Sequence, residues 1–449
     1  MTSRNVETRD FLDISPWVVR PTDIRPRLPA DITANFAVVG AGYTGLSAAL
    51  ALRKAGADVV LVEREFAGFG ASGRNAGHLT PTIGKDLPTL MMFGKRRAAQ
   101  LVRFADAAVR GVEDLIQEHR IECDYVPAGN IMAAVHPKHE ARLRNAAAVA
   151  AQIGAHVRFL SRDEMHARGI PPAFLSGALE ERGGVFDPGK YVMALRQAVT
   201  QAGARLYEQT PVEEIIDGPQ PCIRTAMGSI KADHVLLATN AYTPALGRLR
   251  HTVYPLYDTL FETEPLSPSQ RASLGWPGRE GIYTAHESLE SYRLTARGTI
   301  LGGSKGVRYP FGSALVEGSR PATLALLARA FRDRFPELGD VKIAHYWGGW
   351  IAMTLHFLPA LGRTGTHRNI SYAIGYNGHG VAAATAMGAI VADWMLGRQN
   401  EHLELLRRFV PPLPPEPLRW LIITGAMSII NGIDARIDRQ IRAQRAGGR

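Results

Sequence analysis

FAVVGAGYTGLSAALALRKAGADVVLVE, residues 36–63, decides the fold. Residues 36–39 are a short apolar run with the length and β-branched content of a buried strand. Gly40, Gly42 and Gly45 follow as a GxGxxG turn, and residues 46–52 continue as an apolar helix. A second apolar run over 58–62 ends on Glu63, 18 positions after Gly45. Strand, glycine turn, helix and strand within 28 residues make one right-handed parallel crossover. Gly40 makes the tight turn, Gly42 lets the backbone approach a pyrophosphate, and Gly45 lets helix and strand pack closely. The helix N-terminus, opened by Tyr43 and Thr44, favours negative charge. Glu63 suits ribose hydroxyls, which argues against a 2′-phosphate. The unit predicts a dinucleotide, either NAD or FAD.

The next segment chooses between them. GASGRNAGH, residues 70–78, is too polar and glycine-rich for a core strand. It lies where an extended FAD continues past its pyrophosphate, so Ala71, Ser72, Arg74, Asn75, Ala76, Gly77 and His78 join the expected cofactor contacts.

Outward from this unit, residues 96–155 read as two helices flanking a short strand, and 191–201 as another helix. Buried-strand runs recur at 235–238 and 370–374, and a small-residue helix spans about 380–396. Between 250 and 312 the pattern alternates like an antiparallel sheet, followed by a basic amphipathic helix over 323–335. The expected fold class is α/β (α+β overall), with a Rossmann-like FAD-binding parallel-sheet domain interleaved with an antiparallel-sheet substrate domain. The boundaries are 1–34 for a lead-in; 35–95, 156–250 and 345–400 for the FAD-binding domain; 96–155 and 251–344 for the substrate domain; 401–449 for a C-terminal helical tail.

Composition narrows the functional classes. Two cysteines, Cys123 and Cys222, exclude a disulfide framework and a four-thiolate metal cluster, and no metal site is expected. The net charge of +10 suits anionic ligands, but no motif interleaves basic residues with stacking aromatics, so nucleic acid is not an expected partner. The first ten residues lack the apolar core of a secretory signal, so the expected compartment is the cytoplasm.

The motifs in order, residues 40–45, Glu63, 71–75, 238–242 and GYNGHGV at 375–381, resemble the D-amino-acid-oxidase-like FAD-dependent oxidoreductases, which include glycine and sarcosine oxidases. Within them the chain is similar to the γ-glutamylputrescine oxidase group, sharing GAGYTGLSAAL, GASGRN and a Trp-rich segment such as Trp347 to Trp350. The resemblance covers about residues 33–400. It implies FAD contacts at Thr239, Asn240, Gly375 and Asn377. It also implies that Gly378, His379, Gly380 and Val381 open a helix facing the flavin's N1/O2 edge. Val212 and Arg64 fall near the adenosine. For His379, cofactor contact and simple helix cap stay open. Some relatives tether FAD through a late cysteine, which is absent after Cys222, or an early histidine, here His78. The expectation is non-covalent FAD.

The chemistry implied is oxidation of a primary or secondary amine, of the γ-glutamylated amine or N-alkyl amino acid class. Hydride passes to flavin N5, water hydrolyses the imine, and O2 reoxidises the flavin to give H2O2. A quinone-linked dehydrogenase and a non-catalytic flavoprotein assembly factor are the alternatives. Tyr257 belongs to the expected aromatic lining. Lys305 is either an oxygen-activating cation or a solvated surface lysine. Arg293 holds either a substrate carboxylate or a structural ion pair. His356 either lines the flavin's edge or packs. Finally, apolar residues from Leu418 to Ile430 precede arginines at three-residue spacing. They form either a helix packed on its own chain or a partner subunit, or a peripheral membrane contact, through residues 418–445.

Overall fold

The computed structural model describes residues 11–18, 20–84 and 86–447; the first ten residues, on which the leader reading rests, lie outside them. The 36–39 run is the fully buried second half of the strand Ile32–Val39. That strand pairs in parallel with Val59–Val62 on one side and Gly228–Leu237 on the other. Arg205–Tyr207 extends the parallel sheet beyond Val59–Val62, and Ile370–Ile374 extends it beyond Gly228–Leu237. Ala360–Thr364, Cys222–Thr225 and Val212–Ile216 add antiparallel strands, for eight in all. Parallel pairing buries both faces of Val59–Val62, which explains its unbroken apolar sequence.

The helices Tyr43–Lys54 and Gly380–Met395 pack together on one face of this sheet, with Leu46, Leu50, Met387 and Val391 in a common core. Small residues permit the approach: a Cβ on Gly388 would stand 2.5 Å from the Thr44 carbonyl oxygen.

The second sheet also has eight strands, in the order Ile343–Met353, Tyr254–Thr263, Ile300–Gly303, Ser291–Leu294, Gly281–Thr284, Asn130–Ala134, Ser176–Glu180 and Val157–Leu160. All its neighbours are antiparallel except Gly281–Thr284 with Asn130–Ala134. This corrects the sequence ranges. Val157–Leu160, Ser176–Glu180 and Ile343–Met353 lie in the second sheet, although 156–250 and 345–400 were assigned to the first. Conversely, the helix Lys95–Glu118 turns its Ala98, Leu101, Ala105, Val109 and Val112 stripe into the first sheet's helical core. Local periodicity identified these elements as helix or strand but carries no information about which sheet edge captures them.

The lead-in is more integrated than expected, and the tail is one long helix. Within the lead-in, Leu12 donates its N–H to the Tyr346 carbonyl at 2.6 Å, and Trp17, Val18 and Leu28 are buried. The tail forms one 30-residue helix, Leu418–Gly447, long and apolar enough by length and composition to cross a membrane. Gly425, Gly432 and Asp434 all fall inside this helix without interrupting it.

Candidate active site

A cleft runs along the carboxyl ends of the parallel strands, between the first sheet and Ile343–Met353 of the second. Its volume is about 370 Å³. Gly40, Gly42, Tyr43 and Thr44 line its middle. Gly45 lies beneath them, where a Cβ would stand 1.9 Å from the Gly40 carbonyl oxygen; only glycine lets the helix begin this close to the strand. No side chain of Gly42 caps the helix. Instead Ser72, from the second glycine loop, accepts the Tyr43 N–H through Oγ at 2.9 Å. Thus the two motifs 30 residues apart in sequence meet at one helix N-terminus, with Ala71 and Asn75 also facing the cleft.

One end of the cleft is formed by Glu63, Arg64 and Val212, as expected, together with Thr210, Pro211 and Tyr242. Burial raises the Glu63 pKa, opposed by N–H donation from Ala41 at 2.9 Å and Glu65 at 3.2 Å. Arg64 is exposed and its guanidinium lies 5.1 Å from the Tyr242 ring centre. Thr239 and Asn240 line the wall, and Asn240 Oδ1 accepts the Gly375 N–H at 2.9 Å. The opposite end is the start of Gly380–Met395, where Asn377, Gly378, Gly380 and Val381 face Trp350, Ile351, Ala352 and Leu315. Here too the helix lacks a side-chain cap.

Seven expected contacts stand behind the lining: Gly45, Arg74, Ala76, Gly77, His78, Gly375 and His379. Arg74 is buried and braces the cleft, donating to the carbonyls of Phe69 at 2.8 Å and Gly348 at 2.9 Å. Ala76 packs with Trp17 and Trp347, and Gly77 accepts the Phe186 N–H at 2.9 Å. His78 pairs with Asn130 at 3.0 Å, and burial lowers its pKa to about 4. His379 precedes the helix, with Nδ1 at 3.1 Å from the Asn377 carbonyl.

The four expected catalytic residues do not meet in the cleft. Lys305 is buried, neither solvated nor at the lining. Its ammonium donates to Glu290 and, at 2.7 Å, to Asp438; Arg334 bonds the same two carboxylates at 2.9 and 2.8 Å. Burial would lower the Lys305 pKa, but Glu290 and Asp438 outweigh it and raise it. Arg293 is buried 5.0 Å from the Trp17 ring centre, and its Nε and Nη2 have no partner. Burial brings it down to about 10. Among the described residues it forms no ion pair, so the structural-pair alternative is not met. His356 accepts the Leu358 N–H at 3.1 Å and holds a turn. Tyr257 stands one layer behind the cleft, its ring 4.7 Å from that of Trp350 and its hydroxyl accepting the Gly318 N–H at 3.0 Å.

What the sequence reading missed is which residues form the wall opposite the glycine turn. Trp350, from the Trp-rich segment, and its neighbour Ile351 line it. Glu317 accepts the Trp350 indole N–H at 3.0 Å and stands 3.6 Å from Arg74; nothing in its sequence neighbourhood marks it.

The donor set fits an extended dinucleotide. Two helix N-termini whose N-cap residues make no side-chain cap point at one continuous cleft, and a carboxylate stands at the end of the second strand. Comparison with known proteins agrees. Residues 35–394 match the family model described as FAD dependent oxidoreductase, DAO. The chain is 31% identical over 379 residues to the gamma-glutamylputrescine oxidoreductase of Escherichia coli, covering 82% of this chain and 85% of that one. Among solved structures, glycine oxidase from Geobacillus kaustophilus superposes with a TM-score of 0.72 at 21% identity, covering 84% of this chain and 99% of that one. L-proline dehydrogenase from P. horikoshii gives 0.71 at 21% identity, covering 85% and 97%. The chain belongs to the DAO family of FAD-dependent oxidoreductases, with FAD as its cofactor.

Proposed function

We propose that the chain oxidises a primary or secondary amine, of the γ-glutamylated amine or N-alkyl amino acid class, with O2 as acceptor. The observation that carries this reading is the cleft itself, closed on one side by dinucleotide-binding turns and on the other by an aromatic strand of the antiparallel sheet. Held in this cleft, FAD would supply the acceptor for a hydride from the carbon next to nitrogen; O2 would take up the electrons as H2O2, and water would hydrolyse the imine.

The roles of the residues follow from their positions. The N–H groups at the Tyr43–Lys54 terminus hold the pyrophosphate, with Ser72 fixing the Tyr43 N–H. Glu63 would hold the ribose hydroxyls, and Arg64 and Val212 the adenosine. The N-terminus of Gly380–Met395 would stabilise negative charge on a flavin ring held beside it. Trp350 and Ile351 supply an apolar surface that excludes water and favours the neutral amine, since burial lowers an amine's pKa. Tyr257 holds the Trp350 ring from behind and acts as a positioning residue. Binding is non-covalent: His78 is turned to Asn130, away from the cleft. Both cysteines are free thiols, in keeping with a cytoplasmic setting.

The test is anaerobic. Purified FAD-loaded protein is mixed with a panel of amines, including γ-glutamylputrescine and N-methyl amino acids, and flavin absorbance is followed before and after air is admitted. Bleaching by an amine, then rapid recovery with peroxide, supports the reading. Bleaching without recovery in air moves the protein to the dehydrogenases, and no bleaching by any amine refutes amine oxidation.

A further inference from the structure

The Leu418–Gly447 helix has two faces of different kinds. One is docked on the second sheet. Ile423 and Ile441 are buried, Asp434 accepts the N–H groups of Glu287 at 3.0 Å and Ser288 at 2.8 Å, and Asp438 joins Lys305 and Arg334. The other face is bare. Leu418, Leu421, Ile422, Ile429 and Ile433 are each 50–67% exposed, and offsets of 3, 4, 11 and 15 from Leu418 set them in one stripe. Exposed Arg436 and Arg439 continue that stripe. At its start, Trp420 packs edge-on against Phe311, itself 58% exposed.

We propose that this stripe is an interfacial docking surface for an anionic lipid bilayer, with the helix lying in the membrane plane. A spanning orientation would pull Asp434 and Asp438 from their buried partners and carry both carboxylates into hydrocarbon. An apolar stripe of four turns, aromatic at one end and cationic at the other, is the pattern of an interfacial helix. Charge selects the occupant. The two acids of the helix, Asp434 and Asp438, are both buried, so a second copy of the stripe offers Arg436 and Arg439 no carboxylate. Lipid phosphates do, and the chain's net charge of +10 adds to the attraction.

The surface connects to the cleft. Glu416, just before the helix, accepts the Tyr309 hydroxyl and the Gly312 N–H, while Leu315 and Glu317 of the same loop meet the cleft and Trp350. A docked helix therefore sets the loop that forms one cleft wall against the headgroups.

Sedimentation of the full-length FAD-loaded protein with vesicles tests this. Pelleting with phosphatidylglycerol-containing vesicles, weaker with pure phosphatidylcholine and reduced by salt, is expected. Leu421→Glu with Ile429→Glu, both at exposed positions, removes pelleting without changing the melting temperature. Arg436→Gln with Arg439→Gln weakens binding to the anionic vesicles by roughly 30-fold. Absence of pelleting with either vesicle overturns the proposal. So does a concentration-dependent dimer that Ile429→Glu dissociates, which would make the stripe a contact between copies.

Discussion

Lys305→Met separates the two readings of this residue. If Lys305 acted as the cation that promotes oxygen reduction, its loss would slow reoxidation by about 10²–10³-fold and leave the fold intact. The structure argues the reverse. Lys305 is buried among Glu290, Asp438, Arg334 and His286, away from the cleft. Its removal leaves two buried carboxylates facing one guanidinium. Breaking a buried pair from one side costs about 3–5 kcal/mol. With roughly 2.1 cal/mol/K of unfolding entropy per residue, the 449 residues give about 0.9 kcal/mol per degree, so melting drops by about 3–5 °C if unfolding is concerted. The pH dependence has a definite sign. Burial alone would raise Glu290, but Arg334 and Lys305 hold it at about 2. Without Lys305 the carboxylates take up protons more readily, so the deficit is largest near neutral pH and narrows towards about pH 5. Thermal unfolding of the holo-protein across pH, beside stopped-flow reoxidation in aerated buffer, gives both readouts. An unchanged melting temperature with reoxidation slowed a hundredfold would refute the structural assignment.

Three further outcomes follow from the site. A Cβ on Gly42 would stand 2.8 Å from Ser72 Oγ; Gly42→Ala therefore turns Ser72 away from the Tyr43 N–H and costs about 1 kcal/mol, read as roughly fivefold weaker FAD retention by flavin fluorescence. Arg293→Met removes a buried guanidinium whose Nε and Nη2 are unpartnered, so the melting temperature holds or rises and KM for the amine stays unchanged; a tenfold rise in KM would make Arg293 a substrate contact. Burial raises Glu180 to about 7 against the ordinary 4.5, only partly offset by the Tyr283 hydroxyl. The folded state therefore holds a proton that the unfolded chain releases, and stability falls by about 3 kcal/mol as pH rises through that window. Glu180→Gln flattens this slope, and a slope that persists in the variant contradicts the assignment.

Much of the cofactor half was legible because its chemistry is local. Gly40, Gly42, Gly45 and Glu63 fall within one strand–helix–strand unit, where backbone geometry sets residue type at each step. Ser72 and Asn75 were readable for the same reason: a polar glycine loop cannot join the core, so it had to face a ligand or solvent. His78 sits in that same loop but ends at Asn130, because the strand pair His78–Leu79 with Gly184–Val185 carries the chain away from the cleft. Of the seven contacts expected there, Ala71, Ser72 and Asn75 line the cleft, while Arg74 is held by the Phe69 and Gly348 carbonyls.

The substrate half resisted for a different reason. Lys305, Arg293 and Tyr257 all lie on or beside the antiparallel sheet, as expected, but which way each side chain points depends on its sheet partner. Lys305 is captured by Asp438, 133 residues later in the chain, on a tail that the cofactor motifs do not include. Once the tail docks, Lys305 and Arg334 neutralise its carboxylate. The same docking leaves Leu421 and Ile429 on the opposite side of the helix with nothing described against them. The misread lysine and the bare apolar stripe therefore have one cause: the helix face carrying Asp434 and Asp438 is the one that docks on the second sheet.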